Sequence, residues 1–304
     1  VDQIFSVPLA GSTGIRALLM NGGKVHTLSH EVILYLTPVS SKDFRWDMNF
    51  NFSKIDNYVD ELAEGVESIF IGGFVTPQVR AGIGDTYPVI YGVSFAREET
   101  TGKILIDDDP TSVNYGFPLA GEPAVIGRVS PDFIAGGNST FTFKTLSLSA
   151  LFEWKEGGKM YSGSNGLLDF YGLSSRVEDR ESTFIYDGVK SDGTPNDIVR
   201  GGPLDPDALE MLHQNVLTNI DEYYIFDNSF VKLRELSLKY KPAKKLFNKI
   251  DLGASAFIRN LLIWTALPNL DPESSQGNTN MGGSFERFTV PQTTSYGLTL
   301  ELTF

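Results

Sequence analysis

The sequence predicts an all-β fold of long antiparallel strands. Three observations point there: apolar and polar residues alternate with period two in stretch after stretch, the composition favours turns and pleated surfaces, and helical spacing is rare. The 304 residues include 30 Gly, 21 Phe, 12 Tyr and 3 Trp, types enriched in turns and strands. Helical spacing is confined to residues 205–219, where Leu209, Leu212 and Val216 recur, and to residues 56–66.

In chain order, residues 28–38 give the first candidate strand. The clearest follows at residues 44–53: Phe44, Trp46, Met48, Phe50 and Phe52 fall on one face, and Arg45, Asp47, Asn49, Asn51 and Ser53 on the other. Residues 89–97 and 132–142 alternate less cleanly. Next, Leu146, Leu148, Ala150, Phe152 and Trp154 oppose Ser147, Ser149, Glu153 and Lys155, with Leu151 the exception on the polar face. Residues 230–240 and 252–264 follow. The last strand sets Tyr296, Leu298, Leu300, Leu302 and Phe304 against Ser295, Gly297, Thr299, Glu301 and Thr303. These make about eight strands and at most about ten.

Several chemistries are excluded or unsupported. With 38 acidic against 25 basic residues and a net charge of −13, the chain has the wrong sign for neutralising phosphate, so nucleic acid is not an expected partner. It has no Cys, hence no disulfide, thiolate metal site or Cys nucleophile. No apolar run approaches the 18 or so residues of a membrane helix. Residues 1–11 lack a signal-peptide pattern, so the chain is cytosolic or its true start lies upstream. His26, His30 and His213 lie on separate elements without a metal-binding spacing. Gly82-Ile83-Gly84 lacks the third Gly of a dinucleotide loop, and Asp107-Asp108-Asp109 lacks the Gly and Glu offsets of an EF-hand. Ser164 sits in no nucleophile elbow. No catalysis, metal or cofactor is expected.

A strand with one apolar face suits a soluble sandwich or a membrane barrel. Three features favour the barrel. Several alternating stretches reach ten residues or more, the length of a tilted membrane strand (about 9–11) and above the globular mean of about 5–6. Connections also divide into short ones, at 39–42 and 241–251, and long ones near 56–87, 157–228 and 265–293, as on the two rims of an outer-membrane barrel. Third, the chain closes on Phe304 at an apolar beat. Running strand direction back from that end puts the long segments outside the cell. The bookkeeping fails between residues 98 and 131, where either a strand is hidden or the region lies off the wall.

The carboxyl-terminal half carries a family resemblance. Residues 229–240 (SFVKLRELSLKY), Arg259-Asn260-Leu261-Leu262-Ile263-Trp264, Asp271-Pro272-Glu273 and the closing residues 296–304 (YGLTLELTF) resemble the end of a SusC-type TonB-dependent outer-membrane transporter, with departures at Glu235, Lys239 and Leu262. Thr13-Gly14, Asn21-Gly22-Gly23-Lys24-Val25, Pro131-Asp132-Phe133, Lys144 and Gly157-Gly158-Lys159-Met160-Tyr161 follow the same order upstream. The resemblance implies an antiparallel transmembrane β-barrel segment, residues 1–304 being the C-terminal part of one barrel of about 22 strands whose plug would precede Val1. It also implies active import of oligosaccharides or peptides across a Gram-negative outer membrane, a SusD-like lipoprotein lid, and energy from TonB acting through the plug. Tyr296, Leu298, Leu300, Leu302 and Phe304 resemble the signal read by the barrel-assembly machinery. The rival reading is a soluble extracellular β-sandwich that binds carbohydrate.

The long segment 157–228 supplies the candidate binding residues Tyr161, Asp169, Phe170, Tyr171, Arg180, Tyr223 and Tyr224, among neighbours such as Arg176, Tyr186, Asp187 and Asn196. Aromatic faces beside carboxylates and amides suit the CH faces and hydroxyls of sugars. The plainer expectation is that they pack the loops together or against a partner.

Overall fold

A computed structural model describes every residue except 1, 9–10, 16, 243–249, 277–281 and 304. The elements run β1 (Asp2–Pro8), β2 (Ala17–Ser40), β3 (Phe44–Leu62), β4 (Ser68–Gly73), β5 (Gln78–Gly82), β6 (Val89–Phe95), β7 (Ala120–Arg128), β8 (Phe133–Phe143), β9 (Leu146–Glu156) and β10 (Lys159–Ser162). After helix α1 (Gly163–Phe170) come β11 (Thr183–Phe184), β12 (Arg200–Gly201), α2 (Ala208–Met211), β13 (Ile225–Asp227), β14 (Phe230–Tyr240), β15 (Asp251–Thr265), β16 (Phe285–Glu286) and β17 (Ser295–Thr303).

The wall is an eight-stranded sheet in the order β1-β2-β3-β8-β9-β14-β15-β17. Every neighbouring pair is antiparallel, and residues directly opposite in such a pair share a face. The alternation therefore continues sideways as rows. Val39, Trp46, Phe141, Leu148, Leu238, Ala256 and Leu298 are successive partners across seven strands. One residue along, Ser40, Arg45, Thr142, Ser147, Lys239, Ser255 and Thr299 make a polar row on the other face. The apolar rows are uncovered: Leu148 is 42%, Leu300 66% and Leu298 87% exposed. Among the described residues no protein core covers them.

β14 keeps this phase through a bulge. Leu233 pairs with Phe152 and Glu235 with Leu151, so Arg234 is the extra residue and its side chain reaches Glu153 and Glu273. The bulge is why residues 230–240 alternate less cleanly in sequence than residues 44–53.

Two expectations change. The helical spacing at residues 56–66 is a continuation of β3, which runs to Leu62 against β2. There Asp56, Tyr58 and Val59 sit in register with Leu28, His26 and Val25, and tertiary pairing overrides local spacing. Of residues 89–97, Val89–Phe95 form a strand, but in a separate four-stranded sheet, β4-β5-β6-β7, and not in the wall. That sheet accounts for the failed bookkeeping between residues 98 and 131: the region lies off the wall, and β8 follows as the next descending strand. β1 was not anticipated. Helix α1 was also hidden, since two Gly in its first turn mask its pattern; Ser162 caps it, its Oγ accepting from Asn165 N at 3.2 Å.

Short turns at 41–43 and 144–145 lie on one rim, and the long connections 63–132, 157–229 and 266–294 leave the other. These connections fold together as one cap. Phe95 and Phe117 from the first share a buried cluster with Leu212, Leu217 and Ile220 from the second. Val79, Ile90 and Val129 from the first share another with Phe285 from the third. At its upper end β3 also enters the cap, where Tyr58 bridges Thr86.

Candidate functional site in the cap

The cap is fastened to the wall by charge. Lys232, on the polar face of β14, donates to Asp271 at 2.8 Å and also meets Glu273; Arg234 binds Glu153 of β9 at 2.9 Å and Glu273 in a fork. Asp271-Pro272-Glu273, read in the sequence only as a motif, thus sets two carboxylates over two wall cations. Burial pushes both carboxyls up, but hydrogen bonds from the cations outweigh it and hold them below the usual carboxylate range. Sequence reasoning missed this cluster. Its only trace was two cations in the polar phase of a strand.

Four candidate residues line one cavity. Asp169, Phe170, Tyr171 and Arg180 surround about 250 Å³ together with Leu209, Glu210, His213 and Gln214. The helix α1 supplies Asp169 and Phe170, and the turn after it supplies Tyr171. Tyr171 is 67% exposed, and its ring meets Phe170 edge-on with centroids 5.1 Å apart. Arg180 donates to the carbonyls of Val177 and Gly172 at 3.3 and 3.2 Å. Asp169 is an internal residue. Its fully buried carboxylate pairs with Arg176 at 2.8 Å and lies 3.5 Å from His213 Nδ1. The Arg176 guanidinium in turn lies over the rings of Tyr223 and Phe226, at 5.7 and 5.6 Å.

Tyr161 and Tyr224 stand elsewhere, on a second cavity shared with Phe170. Burial, with Asp221 nearby, pushes the Tyr161 phenol up to about 12, although Arg287 opposes the shift. Burial likewise raises the Tyr223 and Tyr224 phenols. Tyr223 packs edge-on to Tyr224, 4.9 Å between centroids, and lines neither cavity. The seven candidates are therefore split between two cavities and the packing behind them.

On β17, Tyr296, Leu298, Leu300 and Leu302 project from the apolar face and are all exposed; Phe304 lies outside the described residues. No group of three or more potential metal ligands occurs among the described residues, and no described helix is long and apolar enough to cross a membrane.

No family model matches the chain. Curated relatives in Formosa agariphila do, among them the following. TonB-dependent receptor P3 is 25% identical over 331 residues, which cover 99% of this chain and 31% of that protein. TonB-dependent receptor P39 is 22% identical over 358 residues, covering 100% and 33%. The chain thus spans about a third of the length of these relatives. Among solved structures, the RagAB peptide transporter superposes with a TM-score of 0.64 at 19% identity, over 100% of this chain and 32% of that one. The RagAB peptide importer in its closed-closed state gives 0.66 at 18%, with the same coverage. The resemblance drawn from the carboxyl-terminal motifs therefore holds: the chain is a relative of the TonB-dependent receptors and has the fold of an antiparallel transmembrane β-barrel segment.

Proposed function

We propose that the chain is the C-terminal wall and outer cap of a SusC-type, TonB-dependent nutrient importer in the outer membrane of a Gram-negative bacterium. The observation that carries this reading is the pair of transverse rows: Trp46, Phe141, Leu148, Leu238 and Leu298 on a bare apolar face, Arg45, Thr142, Ser147, Lys239 and Thr299 on a polar one. An apolar face this broad on a single sheet suits hydrocarbon, with the polar rows lining a wet lumen. A soluble sandwich would need a second sheet over those rows.

In this role the long connections 63–132, 157–229 and 266–294 face outward. A SusD-like lipoprotein covers them, TonB supplies energy through a plug, and oligosaccharide or peptide cargo passes beneath. Tyr161, Asp169, Phe170, Tyr171, Arg180, Tyr223 and Tyr224 then belong to the cargo-facing cap, with Tyr171 and Arg180 best exposed for contact. No catalysis is assigned to it. The outward residues of β17 with Phe304 serve recognition by the barrel-assembly machinery.

Extraction tests the membrane reading. The protein is expected to stay monodisperse only in detergent, and a folded, soluble form without detergent defeats it. Deleting Phe304 is expected to lower surface levels far more than Glu301→Ala; equal levels defeat the assembly role.

A further inference from the structure

The second cavity in the cap encloses about 390 Å³ between α1, the Phe74-Val75-Thr76 turn and the residues after β16, within the range of small-ligand sites. Gly163 and Gly166 of α1 lie on its wall. A Cβ on Gly166 would rest 3.7 Å from the Tyr224 ring, and one on Gly163 would come within 3.3 Å of the Arg287 chain. Phe74, Tyr161 and Phe170 supply aromatic surface around it, with the buried Tyr224 ring packed behind them.

One full charge on the lining is uncommitted. The Arg287 guanidinium lies 5.5 Å from the centroid of Phe74, and among the described residues it has no ion pair and donates no hydrogen bond. The neighbouring acids are already engaged: Asp221 accepts from Val93 N at 2.9 Å, and the buried Glu286 accepts from Ser162 and Ser164 at 3.1 and 2.7 Å. At the back, the Tyr224 hydroxyl is buried without a partner.

These features choose between ligand chemistries. A sugar ring needs paired donors and acceptors around its hydroxyls, yet the Thr218 hydroxyl already donates to Gln214 O at 2.6 Å, and no carboxylate or amide side chain lines the cavity among the described residues. A flat apolar body with one negative end matches three accessible rings and one free guanidinium. We propose that this cavity binds a carboxylate carried on an aromatic or aliphatic body, the carboxylate on Arg287 and the body among Phe74, Tyr161 and Phe170. As a cargo subsite it rests on the import reading; as a binding site it does not.

The test is calorimetric titration of the purified, detergent-solubilised full-length protein with N-acetylphenylalanine, its uncharged amide, and 3-phenylpropanoate. The acids are expected to bind at least about tenfold tighter than the amide, the scale of a charge-assisted contact. Arg287→Gln is expected to bring the acids to the level of the amide, Arg287→Lys to recover part, and Lys190→Gln, elsewhere on the cap, to change nothing. Preference for N-acetylphenylalanine assigns the carboxylate to a peptide end; preference for 3-phenylpropanoate assigns it to an acid-bearing aromatic substituent. Equal binding of acid and amide, no binding of either acid at millimolar concentration, or full affinity in a folded Arg287→Gln protein overturns the proposal. If Arg287→Gln does not fold, acid against amide on the unaltered protein still decides. Binding that survives alongside failed import sinks the import reading and leaves the site.

Discussion

Lys232 of β14 and Asp271 of the third long connection form an ion pair of 2.8 Å, their side chains only 4% and 10% exposed. It joins wall to cap where water has little access. Lys232→Met leaves Asp271 and Glu273 without their shared cation, and losing one partner of a buried pair costs about 3–5 kcal/mol. The expected outcome is new proteolytic cleavage within 266–294 while the wall resists. Adding Asp271→Asn is expected to restore part of the protection. An unchanged cleavage pattern in the single variant contradicts this account of the joint.

Acid should weaken the same joint. The folded carboxyls of Asp271 and Glu273 lie below their ordinary values of 3.8 and 4.5. Stability from such depressed groups is complete above the ordinary values and is lost as pH falls through the folded ones. Hydrogen exchange of residues 266–294 is therefore expected to be flat with pH near neutrality, after correction for intrinsic rates, and to accelerate below about pH 4. Acceleration that begins near neutrality points to some other group.

Met48 and Asn49 are adjacent on β3 and face opposite ways. Met48 stands in register with Leu36 on the apolar face, whereas Asn49 stands between Tyr35 and Asn138 and accepts from Asn138 N at 3.2 Å. Met48→Arg puts a charge against hydrocarbon and is expected to cost about 2–4 kcal/mol near the membrane centre, with Asn49→Arg nearly neutral. Heat-modifiable mobility of the folded barrel on gels reads both. Equal yields remove the assignment of faces.

Residues 44–53 made the wall legible because they pair with β8 without a bulge, so their alternation runs unbroken. Where a bulge intervenes the pattern blurs: Arg234 interrupts β14, and Asn260, with φ +52°, interrupts β15. Val89 to Phe95 alternates as well as several wall strands, yet joins the cap, because local periodicity does not say which sheet a strand enters. The candidate site was legible by residue type alone. Asp169 and Tyr224 have the chemistry of cargo contacts, but Arg176 neutralises the first inside the cap and the second is 1% exposed. The pairing of Lys232 and Arg234 with Asp271 and Glu273 joins distant segments, so no local pattern announces it.

Gly297 is a steric requirement of the last strand pair. It lies opposite Phe257, and a Cβ built on it would fall 2.2 Å from that ring. The ring covers the space a side chain would need, as when an aromatic packs over a glycine on a neighbouring strand. Gly297→Ala is expected to cost about 1–3 kcal/mol by overpacking and to lower assembly, while Phe257→Leu in the same chain recovers yield. If Gly297→Ala assembles like the parent, Phe257 is free to move and the constraint is absent.

Tyr171 and Asp169 separate contact from scaffold within one cavity. Tyr171 is 67% exposed beside it, so Tyr171→Ala removes a stacking surface with little packing loss. Cargo affinity is expected to fall by about 1 kcal/mol, roughly fivefold, at unchanged surface level and melting temperature. Asp169→Ala instead strands the Arg176 guanidinium among aromatic rings, the expensive half of a buried pair, and is expected to lower cap stability by about 3–5 kcal/mol. Uptake kinetics in cells and differential scanning of the purified protein, run on both variants, read the two effects separately. If Tyr171→Ala melts early, or Asp169→Ala melts like the parent while losing uptake, the two residues have exchanged the roles assigned to them.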